Sequence, residues 1–295
     1  MNLIYSGSYE QAVDENARID SIPRWFEGVY VNFAENLLYS REALDPTSKR
    51  GTKGKEDTKI ALTEVREGST EIRHVSWGQL RSEVGELASA MKARGFRKGD
   101  RCAVVASNSV DTLKVFLATA ALGGSFSSSS TDMGTKGVLD RLLQIEPKVG
   151  CHIFGTRPVL KILQYLFMDD WAVYNGKTID LRQKMTEIVN GMMAAKGFAG
   201  IVSMPRFPNR EPSNVSRIPK AQLLKDFLSM ATSKTLQFEK TEFRDPFMIA
   251  YSSGTTGVPK CIVHSIGGAL ISAAKEGILH REMDSTGVAL QYTTT

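Results

Sequence analysis

The chain has 295 residues, 42% hydrophobic and 23% charged, the balance of a globular protein able to bury a large core. Its formal net charge of +5 is modest. The basic run 48–55 is followed at once by Glu56 and Asp57 and carries no interleaved aromatic ring, so it reads as a solvated loop and not as a nucleic-acid surface.

Three cysteines and four histidines show neither a CxxC pair nor metal-ligand spacing, so no disulfide framework and no metal site are expected. Cys102 and Cys261 lie in apolar runs and are expected to be buried thiols. The opening 1–6 has no basic or apolar signal region, and no apolar stretch is long enough for a bilayer. The expectation is a cytoplasmic protein without a membrane span.

In chain order, residues 1–46 read as a lead-in segment, with an apolar pattern only over 31–38. The Lys/Gly-rich stretch 47–58 is the candidate linker, and 59–295 the main domain. Residues 59–65 alternate as a strand and are expected to pair with 71–75. Ser76 opens a helix whose Leu80, Val84, Leu87, Ala88 and Met91 share one face, with Gly95 just past its end. An apolar run at 102–106 predicts a buried parallel strand. Ser107, Asn108 and Ser109 offer caps for a helix over 110–122, stopped by Gly123-Gly124, and another helix spans 135–145.

Strands are predicted at 200–204 and 247–251, a helix at 221–230, and a last strand at 288–292 whose unpaired edge would favour aggregation. Residues 127–130, four consecutive serines, read as a polar strand end. Residues 149–166 look inserted: a surface excursion or a locally disordered segment, or else a gene-model artefact such as a retained intron, with Leu160, Leu163, Tyr165 and Leu166 able to make a helical turn or two. Strands alternating with helices predict an α/β fold with mostly parallel sheets flanked by helices, and no Gly-x-Gly-x-x-Gly fingerprint supports a dinucleotide fold.

The chemistry is concentrated in Tyr251-Ser252-Ser253-Gly254-Thr255-Thr256-Gly257-Val258-Pro259-Lys260. Two apolar runs flank it, 247–251 and 261–263. Gly254 and Gly257 let the backbone turn sharply and offer N–H groups to an anion. Four hydroxyls (Ser252, Ser253, Thr255, Thr256) and the Lys260 ammonium add donors and charge, which suits a polyphosphate better than an ordinary hairpin turn does. The spacing is not that of a Walker A loop, since Lys260 follows a proline and leads into a strand.

These residues resemble the phosphate loop of the acyl-adenylate-forming superfamily. Cys261 to Gly268 is similar to its acetyl-CoA synthetase-like branch. Pro23-Arg24-Trp25-Phe26, the run 31–38, Gly137-Val138-Leu139-Asp140-Arg141 and Gln144-Ile145-Glu146-Pro147-Lys148 resemble the acetoacetyl-CoA synthetase family. The resemblance covers nearly the whole chain, as an amino-terminal portion of that family's large domain.

The resemblance implies ATP-dependent activation of a carboxylate, acetoacetate, to an acyl-adenylate, then transfer to coenzyme A, as in lipid metabolism. Ser252, Ser253, Gly254, Thr255, Thr256, Gly257 and Lys260 would grip the β- and γ-phosphates, with Mg²⁺ bridging phosphate oxygens. No residue here is assigned as catalytic or as a metal ligand, because the family's catalytic Lys would lie beyond the chain end. His264 is read as a strand-end residue capping the loop. The chain alone is expected to have little or no ligase activity. Two alternatives stand beside this reading: a ligase for acetate or propionate, and a non-catalytic nucleotide-binding fragment.

Overall fold

Local chemistry sets the first elements. The computed structural model describes residues 3–21, 23–42, 50–67, 71–145, 163–207, 209–252 and 259–290. Helix α1 (Phe33–Leu38) is capped by Asn32, whose side-chain oxygen accepts from the Glu35 amide at 3.2 Å. The same buried side chain donates to the carbonyls of Ala120, Ala121 and Glu239, which fastens the lead-in to the body of the protein. Helix α2 (Trp77–Ala93) starts on a reciprocal capping box. Ser76 Oγ accepts from the Gln79 amide and Gln79 Oε1 accepts from the Ser76 amide. Gly95 follows α2 with φ +87°, the left-handed turn that glycine permits.

A seven-stranded sheet carries the fold. Its strands are β1 (Arg101–Val105), β2 (Ser125–Ser129), β3 (Leu163–Asp169), β4 (Gly200–Met204), β5 (Ala221–Leu223), β6 (Pro246–Ser252) and β7 (Lys260–Ser265). The order is β5-β4-β3-β1-β2-β6-β7; all neighbours are parallel except β6 and β7, which form an antiparallel hairpin. The remaining helices are α3 (Val110–Ala121), α4 (Thr135–Ile145), α5 (Arg182–Met192), α6 (Leu224–Leu228) and α7 (Ile266–Ala274).

Two cores result. α1, α2, α3, α6 and α7 bury their apolar faces on one side of the sheet, and α4 and α5 on the other. The alternation along β3 shows the division. Tyr165 and Phe167 meet Phe227 on one side, while Leu166 and Met168 are sealed on the other. A strand covered on both faces is an unbroken apolar run, as parallel strands are.

Several expectations need correction. Residues 163–166 are the start of central strand β3, not helical turns in a surface excursion; residues 149–162 lie outside the described residues. The helix expected over 221–230 is instead β5 followed by the short α6. The Lys220 carbonyl accepts from the Ile201 amide at 2.9 Å, so the chain enters as an edge strand before Phe227 turns into the core. The serine run is the polar carboxyl end of β2, as expected, and its Ser127 and Ser129 are buried because β2 lies between β1 and β6.

Cys102 is buried as expected, but Cys261 is exposed, because β7 is an edge strand with its side chains uncovered. Residues 288–290 form no strand, and Val288 is 99% exposed; 291–292 lie outside the described residues. Residues 50–55 are tied to the lead-in segment. Arg50–Gly51 pairs with Ser40–Arg41, and Lys55 Nζ donates to the carbonyls of Asn36, Leu37 and Tyr39 at 3.1, 2.7 and 2.7 Å.

Candidate functional site

Parallel strands place all their carboxyl ends on one edge of the sheet. From β1 the chain moves one way, through α3 to β2, and then returns through α4 on the opposite face to β3 beyond β1. That reversal is a topological switch point, and ligands of open α/β sheets bind along this edge. The phosphate-loop motif leaves the same edge, from the carboxyl end of β6.

The hairpin frames the motif as its sequence suggests. The β6–β7 ladder runs from Pro246 opposite Ser265, through an irregularity before Met248 opposite His264, to Ser252 opposite Lys260, and residues 253–259 join the two strands. Of the seven proposed phosphate contacts, the structure describes Ser252 and Lys260 and makes them the closing pair of the ladder. Ser253, Gly254, Thr255, Thr256 and Gly257 lie outside the described residues. Ser252 is half-buried and Lys260 exposed. His264 does not cap the loop: it sits at the other end of β7, next to Ser265, which caps α7 by accepting from the Gly268 amide.

Beneath this pair lies a contact that spacing alone did not reveal. The Tyr251 hydroxyl donates to the Arg141 backbone carbonyl on α4 at 2.7 Å, and the Arg141 guanidinium stands 5.4 Å from the Tyr251 ring centroid. Arg141 Nη1 in turn donates to the Gly137 carbonyl at 2.9 Å. Burial, reinforced by Cys261 across the ladder, pushes the Tyr251 phenol up, so it remains a proton donor through the physiological range. One strand over, the Ser127 hydroxyl donates to the Ile249 carbonyl at 2.9 Å.

The switch point itself holds a buried carboxylate. Asp169, at the end of β3, accepts from both the amide and the hydroxyl of Ser107 at 2.8 Å. Burial pushes its carboxyl up to about 6, with the two Ser107 hydrogen bonds and Arg66 opposing. Above it sits the hairpin formed by Ile60–Val65 and Ile72–Ser76, fastened by charge. Glu64 pairs with Arg66 at 3.1 Å and accepts from the Val110 amide at the start of α3. Arg73 reaches Glu83 and Asp111, and Lys114 reaches the same two carboxylates. These groups satisfy one another, which marks the network as one that holds the hairpin over the edge.

Among the described residues no group of three or more His, Cys, Asp and Glu side chains could hold a metal ion. The described part of the site therefore offers no protein cage for Mg²⁺, and no step is routed through one. No helix of the described residues is long and apolar enough to cross a membrane.

The comparisons with known proteins agree with this geometry. The pattern of the AMP-binding enzyme family matches residues 50–294. The chain belongs to the AMP-binding enzyme family. It is 39% identical over 295 residues to acetoacetyl-CoA synthetase of Macaca fascicularis, covering 99% of this chain and 39% of that protein. It is 40% identical over 296 residues to acetoacetyl-CoA synthetase of Danio rerio, again over 39% of that protein. The solved structure of acetoacetyl-CoA synthetase from Streptomyces lividans superposes with a TM-score of 0.74 at 27% identity, over 96% of this chain and 37% of that one. The chain thus spans about two fifths of the length of these family relatives.

Proposed function

We propose that this chain carries the phosphate-gripping part of an acetoacetate–CoA ligase. The reaction joins acetoacetate to coenzyme A in two steps. A carboxylate oxygen attacks the α-phosphorus of ATP, the bond to the bridging oxygen of the β-phosphate breaks, and pyrophosphate leaves. The thiol sulfur of coenzyme A, losing its proton, then attacks the acyl carbon, and AMP leaves with the bond electrons. Such transfers need positioning and charge neutralisation more than a covalent helper.

The observation that carries this reading is the β6–β7 hairpin, which presents Ser252 and an exposed Lys260 as a facing pair at the carboxyl edge of the sheet. In this reading Lys260 neutralises the β- and γ-phosphates. Ser252, Ser253, Thr255 and Thr256 donate to their oxygens, and Gly254 and Gly257 allow backbone N–H groups to approach. Mg²⁺ would accompany ATP as a counter-ion on phosphate oxygens. Acetoacetate as the acyl substrate is supported by the relatives, which are acetoacetyl-CoA synthetases.

In this reading the described edge binds nucleotide. Calorimetric titration with ATP·Mg²⁺ and, separately, AMP tests the reading. Saturable binding of ATP with AMP at least tenfold weaker supports a grip on the terminal phosphates; equal binding of both, or none, removes it. ATP–pyrophosphate exchange with acetoacetate, measured separately, reports whether adenylation accompanies that binding.

A further inference from the structure

The hairpin that carries Ser252 and Lys260 is joined to the sheet more sparsely than any of the central strands. β1 pairs with β2 over five successive residues and with β3 over five more positions. β6 pairs with β2 at one position, Met248 opposite Phe126. That position is four residues short of Ser252. β7 lies on the outer side of β6, with no further strand beyond it among the described residues.

Among the described residues, side-chain hydroxyls carry the connection onward from Met248. The Ser127 hydroxyl donates to the Ile249 carbonyl, and the Tyr251 hydroxyl donates to the Arg141 carbonyl. The second is the last before the closing pair. Tyr251 immediately precedes Ser252 and faces Cys261, the neighbour of Lys260, so one phenol fixes both strand ends. Its partner is well placed to hold it. Arg141 lies in α4, which is anchored by Val138, Leu142 and Ile145, all buried in the second core. The guanidinium returns over the Tyr251 ring while donating to Gly137, so α4 grips both the ring and its hydroxyl.

We propose that Tyr251 is a positioning residue for the Ser252–Lys260 pair, setting through its bond to α4 where that pair stands over the sheet edge. The proposal rests on the phosphate-binding reading for its consequence, but not for its structural half. A hydroxyl is all that distinguishes Tyr251 from phenylalanine, so Tyr251→Phe keeps the ring, its packing and its contact with Arg141. It removes the tie and leaves the Arg141 carbonyl without that donor.

Two readouts on the full chain decide the matter. In hydrogen exchange, the amides at the Ser252–Lys260 end of the hairpin should exchange about tenfold faster in Tyr251→Phe, while those of α2 stay unchanged. The dissociation constant for ATP·Mg²⁺ should rise by about tenfold. Phe227→Leu, in the core at the opposite end of the sheet, serves as a control for general destabilisation and should alter neither readout. Unchanged exchange in Tyr251→Phe overturns the proposal, and so does faster exchange with unaltered ATP affinity. If the unsubstituted chain binds no ATP, the phosphate reading fails, and the exchange arm alone decides whether Tyr251 positions the pair.

Discussion

The centre of the sheet and its β6–β7 margin are built on different principles. β1 and β3 are paired on both sides and sealed on both faces; Val105, Leu166, Phe167 and Met168 are all 0% exposed. At the margin, a cluster of Phe33, Phe116, Phe126 and Phe247, with centroids 4.2 to 5.6 Å apart, anchors the start of β6. The far end of β6 is held by hydroxyls. Continuous burial makes a rigid platform, whereas a few directed bonds hold the strand end that carries half-buried Ser252 and exposed Lys260. A site built this way takes its stability from one region and its chemistry from the other.

Substitutions can break the contrast from either side. The largest loss is expected from Phe167→Ala in the centre, about 3–5 kcal/mol of stability by chemical denaturation, because the cavity lies between two covered layers. A comparable change in the centre should abolish nucleotide binding only by unfolding the chain.

Next is Lys55→Met, expected to lose about 2–3 kcal/mol. It removes three bonds to the carbonyls at the end of α1 while leaving the aliphatic stem in place. Burial, together with the neighbouring Arg81, brings the Lys55 ammonium down to about 8. A folded pKa below the unfolded one means that the unfolded chain holds more protons between about 8 and the ordinary lysine value. Stability from this group should therefore rise with pH across that window, and Lys55→Met should flatten the rise in a urea series.

Asp169 gives an effect of similar or smaller size and the opposite slope. Its folded pKa, about 6, stands above the ordinary carboxyl value, so the folded chain holds the extra proton between about pH 4 and 6. Stability from Asp169 should fall as pH rises through that window and level off above it, by at most about 2–3 kcal/mol. Asp169→Asn keeps an oxygen for the Ser107 amide and hydroxyl while removing the buried charge. It should raise the melting temperature at pH 7.5 and erase the slope; a retained slope would place the titration elsewhere.

The smallest effect on stability belongs to the edge. β7 exposes Ile262 and Val263 on a strand with no outer neighbour among the described residues. Val263→Lys should change stability by no more than about 0.5 kcal/mol while lowering light scattering at high concentration. A chain that scatters as much as before would show that the edge is not what associates.

The sequence was most legible where one local rule decided the element. Ser76 announced the start of α2, Ser109 was among the caps offered for α3, and Thr135 to Ile145 formed α4 with the bounds its pattern predicted. The hairpin frame of the phosphate motif was visible as two apolar runs about a polar loop. Long-range effects were harder to see. Leu163 to Leu166 carry a spacing that fits a helix as well as a doubly covered strand, and only the neighbours β1 and β4 decide between them. Cys261 sits in an apolar run yet is exposed, because burial depends on whether a strand is central or marginal. Lys55 looked like a solvated cation, and its carbonyl partners come from α1 and its end. Arg141 and Tyr251 were both noticed for resemblance, but nothing in the spacing joined α4 to β6.

The central claim is that the hairpin ending in Ser252 and Lys260 grasps the terminal phosphates of a nucleotide. Calorimetric titration of ATP·Mg²⁺ into the chain and into Lys260→Ala tests it most directly, since Lys260 is exposed and its loss should leave the fold intact. The account predicts saturable binding that weakens at least tenfold in the variant, with an unchanged melting temperature. Equal affinity in both proteins would contradict it.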